Sequence, residues 1–201
     1  MASTTYKNEQ TYAKKDRGFY DEYDDLIVSA VGLNPTGLTA PPTLNATTGL
    51  LEFSGTSDNQ IGGCWQLPHG WTGAISGGTA GTTVRPHLHV RFLTSSATNT
   101  RWKLEVDRVV PNGTHENTYG NYTTIATITV ANPQDVNKSS LVSFGDLDMA
   151  NYAKGSALIH FRVTRLASSD AADNYTGLVA LYSIDCHVQR RAAGSVTEIP
   201  V

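Results

Sequence analysis

The sequence predicts an all-β chain: an antiparallel jelly roll or β-sandwich of about eight strands with an extended N-terminal arm. Three observations carry that expectation. Apolar residues recur at period two in several stretches, which is the pattern of half-buried strands. No segment shows convincing 3.6-residue periodicity, the short run Asp146–Ala153 being the best helical candidate. The connections between the alternating stretches are rich in Gly, Asn, Thr and Ser, as in sandwiches and barrels. With 201 residues, 39% of them apolar, the chain is long enough to bury a full core.

Residues 1–25 are polar, with Tyr6, Tyr12, Phe19, Tyr20 and Tyr23 scattered among Lys7, Lys14, Lys15, Arg17 and the acidic run Asp21-Glu22-Tyr23-Asp24-Asp25. Such a stretch cannot build a core alone, and it reads as an attachment arm whose five aromatics are the partner-binding candidates. The body is then 26–201. Gly32 to Gly49 carries Pro35, Pro41 and Pro42 among Gly, Thr and Asn and suits an extended linker or surface loop.

Eight strands are expected: Leu50–Phe53, Gly62–Gln66, His87–Leu93, Arg101–Val110, Tyr122–Val130, Leu141–Phe144, Ala157–Leu166 and Gly177–Gln189. In the third, Leu88, Val90 and Phe92 alternate with His87, His89 and Arg91, so both histidines point to one face. In the fourth, Trp102, Leu104 and Val106 alternate with Lys103, Glu105 and Asp107. Ile159, Phe161 and Val163 do the same against His160, Arg162 and Thr164. The last strand sets Ala180, Tyr182, Ile184, Cys186 and Val188 against Ser183, Asp185, His187 and Gln189. Pro111-Asn112-Gly113 marks a turn, because Asn-Gly adopts positive φ at little cost.

Charge and composition exclude some partners. A net charge of −3, with 16% charged residues and no Lys/Arg cluster, gives no electrostatic footprint for nucleic acid or an anionic membrane. No 18-residue apolar run and no apolar signal-peptide core occur, so a soluble protein made in the cytoplasm is expected. Cys64 and Cys186 are far apart with no C-x-x-C spacing and read as two buried thiols.

The segment from Cys64 to Trp71, followed by Arg85–Phe92, holds His69, His87 and His89 and two of the three tryptophans. These three imidazoles, joined by His187 beside Asp185 or by His160, would suit a divalent metal ion. The His-x-His strand resembles the metal site of cupins, but the Glu that cupins carry after it is missing, Arg91 standing nearby instead. A structural role, each imidazole hydrogen-bonded across strands, is the competing reading. Glu105 and Asp107 read as a polar strand surface rather than a glycosidase pair. Trp71, between Gly70 and Gly73, is the candidate for glycan contact, Trp65 and Trp102 for packing.

The order Tyr23-Asp24-Asp25-Leu26, then Gln66-Leu67-Pro68-His69, then Pro86-His87-Leu88-His89, then a strand bearing Trp102, then Asp185-Cys186-His187, resembles a family of tailed-bacteriophage virion proteins. The resemblance implies a β-sandwich or jelly-roll component of the virion, a homotrimer serving as head decoration, fibre or tail appendage; the lack of a collagen-like, coiled-coil or β-helical shaft favours a head decoration or cement protein. Its partners would be the major capsid protein or tail proteins. No catalytic residues and no cofactor come with it, apart from a divalent ion that six imidazoles could hold if three copies met on an axis. The alternatives are a short tail fibre or tail appendage that binds a receptor or glycan, and a cupin-like metal-binding protein. Where the family has a tryptophan after His-x-His, this chain has Val90.

Overall fold

The computed structural model describes residues 22–35, 40–68, 71, 83–110, 113, 115–118, 120–152 and 156–190. Its strands are β1 (Glu22–Ser29), β2 (Asn34–Pro35), β3 (Thr43–Leu44), β4 (Leu51–Phe53), β5 (Asn59–Gln66), β6 (Thr83–Phe92), β7 (Asn99–Val109), β8 (Thr123–Ala131), β9 (Ser139–Ser143), β10 (Leu147–Asp148), β11 (Leu158–Arg165) and β12 (Val179–Arg190). Two 3-10 turns, Ala30–Gly32 and Ala150–Tyr152, complete the order, and no α-helix occurs among the described residues.

The strands form two antiparallel sheets. In one, β6 and β12 are the long central pair; β9 and β10 line the far edge of β6, while β1 and β4 share the far edge of β12, with β3 beyond β4. The other has the order β2-β5-β11-β7-β8. One core lies between them. Phe53 of the first sheet meets Trp102 of the second edge-on, with ring centroids 5.1 Å apart, an arrangement aromatic pairs prefer. The chain is a β-sandwich.

All eight expected strands form, with ends shifted by up to four residues. Alternation sets their faces: Val84, Leu88, Val90 and Phe92 of β6 and Trp102, Leu104 and Val106 of β7 are buried. Gly63 shows how tightly β5 and β11 are matched. It lies opposite Phe161 in register, and a Cβ there would come within 2.5 Å of the Phe161 ring, which packs 4.0 Å from the Trp65 ring.

Three expectations need correction. The helical candidate over 146–153 is β10 followed by a 3-10 turn. Leu147 and Met149 are buried on either side of exposed Asp148, and the Asp148 carboxylate accepts the Ala150 backbone N–H at 2.8 Å. Period-two burial and an Asx turn outcompete a helix that short. Second, β1 begins at Glu22, so the boundary drawn at residue 25 falls inside a strand that pairs with β12 over eight residues. Leu26 and Val28 of β1 pack against the core. Third, Tyr182 does not share the face of Ile184. The β6–β12 register shifts between Leu181 and Ser183, so Tyr182 is the extra residue of a bulge and is exposed. The arm residues Tyr6, Tyr12, Phe19 and Tyr20 lie outside the described residues, as does the side chain of Tyr23.

A buried ion pair ties the sheets together. Arg165, at the end of β11, is fully buried and donates from Nε and Nη2 to the two carboxylate oxygens of Asp173 at 3.0 and 2.9 Å. Its remaining donors reach the carbonyls of Phe53 at 3.3 Å, Gly177 at 2.9 Å, and Tyr175. Phe53 belongs to the opposite sheet, so the guanidinium spans the sandwich.

Candidate functional site

The outer face of the β9-β6-β12-β1 sheet carries the candidate site. Directly opposed residues of an antiparallel pair share a face, and the registers give three cross-strand rows. One reads Ile27–Asp185–His87–Ser143, the next Ser29–Ser183–His89–Leu141, and the third Asp25–His187–Arg85. Three histidines and two aspartates thus come together from three adjacent strands.

The centre of this face is tightly built. His87 Nε2 lies 3.2 Å from His89 Nε2, and Asp185 Oδ2 lies 3.5 Å from the first and 3.0 Å from the second. His87 and Asp185 are buried although they point away from the core, whereas the His89 side chain is 40% exposed. The His87 ring packs edge-on against His187, centroids 4.3 Å apart, and His187 Nε2 sits 3.0 Å from Asp25 Oδ1. His87 Nδ1 faces the Arg85 carbonyl at 3.4 Å. Asp185 Oδ1 is buried without a hydrogen-bond partner.

Electrostatics follow from this crowding. Burial, and then the neighbouring His187, hold the His87 imidazole below the usual histidine range; the Arg85 carbonyl and Asp185 pull the other way without prevailing. That direction favours the neutral imidazole over the imidazolium, and a neutral ring carries a lone pair on one nitrogen. Beside the cluster an open concavity of about 430 Å³ is lined by His89, Asn137, Ser139, Tyr182, Ser183 and Asp185. Tyr182, which lines it, is exposed, as are Ile27 and Leu141, the cross-strand neighbours of Asp185 and His89.

Of the three expected metal ligands, His87 and His89 stand together as the period-two pattern requires. His69 lies outside the described residues. Asp185 brings a carboxylate from β12 to within 3.5 Å of His87 Nε2 and 3.0 Å of His89 Nε2. The sequence places Asp185 beside His187, on the polar face of the last strand and in the Asp185-Cys186-His187 motif, without pointing to it as a ligand in its own right. His160 belongs to the other sheet, opposite Asp107 and Cys64. His87 and His89 face Asp185 of their own protomer, so the donors that the fold brings together do not wait for a three-fold axis.

Trp71 is a correction. It is 1% exposed and part of the core, so its ring faces are not presented to a sugar. The backbone N–H of Trp71 donates to the Pro68 carbonyl at 2.9 Å, and the indole packs into the core. Trp65 and Trp102 are buried as expected. Glu105 pairs with Lys103 at 3.3 Å, and Asp107 accepts the Asn117 backbone N–H at 3.2 Å. Both thiols are free, Cys186 buried and Cys64 partly so, and burial pushes each above the usual thiol range.

No protein-family model matches the chain, and no curated protein matches it either. Among solved structures it is similar to a family 35 carbohydrate-binding module from an environmental isolate, at 15% identity, 84% of this chain, 98% of that one and a TM-score of 0.43. The CBM22-1 xylan-binding domain from Paenibacillus barcinonensis Xyn10C is similar at 17% identity, 83% of this chain, 87% of that one and a TM-score of 0.36. The CBM22-1 and GH10 modules of a Clostridium thermocellum xylanase match at 13% identity and a TM-score of 0.42, over 90% of this chain but only 30% of that one.

Proposed function

We propose that this chain is a non-enzymatic structural protein of a tailed-phage particle: a trimeric head decoration or cement protein, anchored by the arm that precedes β1. One observation supports the reading above others. Three of the segments that carry the sequence resemblance, Tyr23–Leu26, Pro86–His89 and Asp185–His187, lie on the adjacent strands β1, β6 and β12. Asp25, Arg85, His87, His89, Asp185 and His187 of these segments lie in neighbouring cross-strand rows on the outer face of a single sheet. A face with a half-buried polar centre and exposed Ile27, Leu141 and Tyr182 around it suits contact with further copies of the same chain, since oligomer interfaces combine apolar anchors with satisfied polar groups. A short tail fibre or appendage would use the same body. Glycan recognition through Trp71 has no support in the fold, because that indole is buried.

The test is native mass spectrometry of the tag-free full-length chain beside Ile27→Asp plus Leu141→Asp. The unaltered chain is expected as a trimer and the double variant as a folded monomer, both positions being more than half exposed. A monomeric unaltered chain at micromolar concentration removes the trimer. Particles assembled with a chain lacking residues 1–21, which leaves β1 whole, should lose it; normal copy number would show that the arm is not the anchor.

A further inference from the structure

We infer that His87 Nε2, His89 Nε2 and Asp185 Oδ2 form a binding site for a tetrahedral divalent transition-metal ion of the zinc class, one ion per protomer. This goes beyond the assembly reading and does not rest on it.

The first argument is geometric. The three donor atoms make a triangle with edges of 3.2, 3.5 and 3.0 Å. An ion with metal–ligand bonds of ~2.0–2.1 Å would stand roughly 0.8 Å off the plane of that triangle. Tetrahedral geometry requires about a third of a bond length, ~0.7 Å, whereas a facial octahedral set requires ~1.2 Å. The donors are spaced for four-coordination without rearrangement. Two imidazoles and one carboxylate are also a ligand set that zinc takes while keeping one position open. Here the fourth position is free to face the concavity beside His89 and Asp185.

The second argument is a count of protons. Among the described residues the hydrogen-bond partner of His87 Nδ1 is the Arg85 carbonyl at 3.4 Å, an acceptor, which makes Nδ1 the donor and leaves Nε2 with its lone pair. That lone pair faces His89 Nε2 and an Asp185 oxygen. His89 can bring one N–H to this triangle, and it cannot serve both His87 Nε2 and Asp185 Oδ2. One acceptor stays unmet in a buried place, and Asp185 Oδ1 has no partner in any case. Buried acceptors left facing each other are costly. A cation between them satisfies all three at once. A ligating histidine that donates its other nitrogen to a backbone carbonyl is the usual outer support of a zinc site. The His187 ring against His87, itself held 3.0 Å from Asp25, adds a second brace.

The experiment uses the tag-free full-length chain, stripped with chelator, dialysed, and titrated with Zn²⁺ by calorimetry and native mass spectrometry. Co²⁺ is used as a spectroscopic probe. Expected are one ion per chain and the intense visible absorption of tetrahedral Co²⁺. His89→Ala and Asp185→Asn should each weaken binding by roughly 100-fold or more, beyond the 10–100-fold that changes around the ligands cost. His160→Ala, on the other sheet, should titrate like the unaltered chain. His89 is 40% exposed, so its alanine variant tests the site even if Asp185→Asn fails to fold. Absence of binding at millimolar Zn²⁺, one ion per three chains, or unchanged affinity in His89→Ala would overturn the proposal.

Discussion

Asp173→Asn should cost this sandwich a large share of its stability. The substitution keeps the shape of the side chain but removes the one carboxylate that, among the described residues, pairs with Arg165, a guanidinium with 0% side-chain exposure. Asp173 accepts from Arg165 Nε and Nη2 and, through Oδ2, from the Arg101 backbone N–H at 2.9 Å. An amide can accept on one side only, so its NH2 group would be turned against a donor. The attraction lost is about 4 kcal/mol for charges ~4 Å apart at an effective dielectric of ~20. Breaking a buried pair from one side costs ~3–5 kcal/mol, because the survivor stays buried and uncompensated. With a urea m-value of about 2 kcal/mol/M, the unfolding midpoint should fall by roughly 1.5–2.5 M. Equilibrium urea unfolding followed by tryptophan fluorescence reads this directly, Trp102 and Trp65 being buried. The double variant Arg165→Met plus Asp173→Leu should recover part of the loss, since no charge is left buried alone, while the Phe53, Gly177 and Tyr175 carbonyls and the Arg101 N–H still lose their partners. The reasoning fails if Asp173→Asn unfolds within about 0.5 M of the unaltered chain, or if the double variant is as unstable as the single ones.

Two further outcomes are expected. Gly55→Ala should destabilise by about 1–3 kcal/mol, because a Cβ at Gly55 would meet the Thr176 backbone carbonyl carbon and oxygen at 2.2 and 2.1 Å, and backbone yields less readily than a side chain; a thermal melt within 1 °C of the unaltered chain would refute this. The Asp58 carboxylate feels burial, which raises it, but hydrogen bonds from Ser169 and Ser168 outweigh that and hold it below the usual carboxylate range. A depressed folded-state value means that its contribution is present above the unfolded value of ~3.9 and is lost as pH falls through the folded one. Asp58→Asn should therefore narrow the stability difference from the unaltered chain in acid and widen it near neutrality; a pH-independent difference would count against the assignment.

Much of the sandwich is legible in the sequence because a half-buried strand writes its burial at period two. Trp102-Lys103-Leu104-Glu105-Val106 and Ile159-His160-Phe161-Arg162-Val163 announce both the strand and its inner face. β1 was harder to see because Asp24-Asp25 made its first half look like part of a polar arm, while Leu26 and Val28 count as core only once β12 lies beside them. The bulge at Tyr182 was invisible for a related reason. An inserted residue leaves both flanking runs alternating, and only the pairing with β6 reveals the change of phase. Trp71 misled because flanking glycines mark a turn but do not say which way its side chain points.

The sequence by itself determined that the chain is all-β, that His87 and His89 share a face, and that Asp185 and His187 share another. Those are local facts, set by the alternation of side chains along one strand. That the two faces are the same face, with β12 beside β6 and β1 beside β12, was decided only by the tertiary structure. Strand neighbours are chosen by loop closure and core packing across long separations, and spacing along the chain does not record them. Asp185 entered the site by that route: among the described residues it is the carboxylate that meets both imidazoles of His-x-His, although β7 to β11 lie between β6 and β12 along the chain.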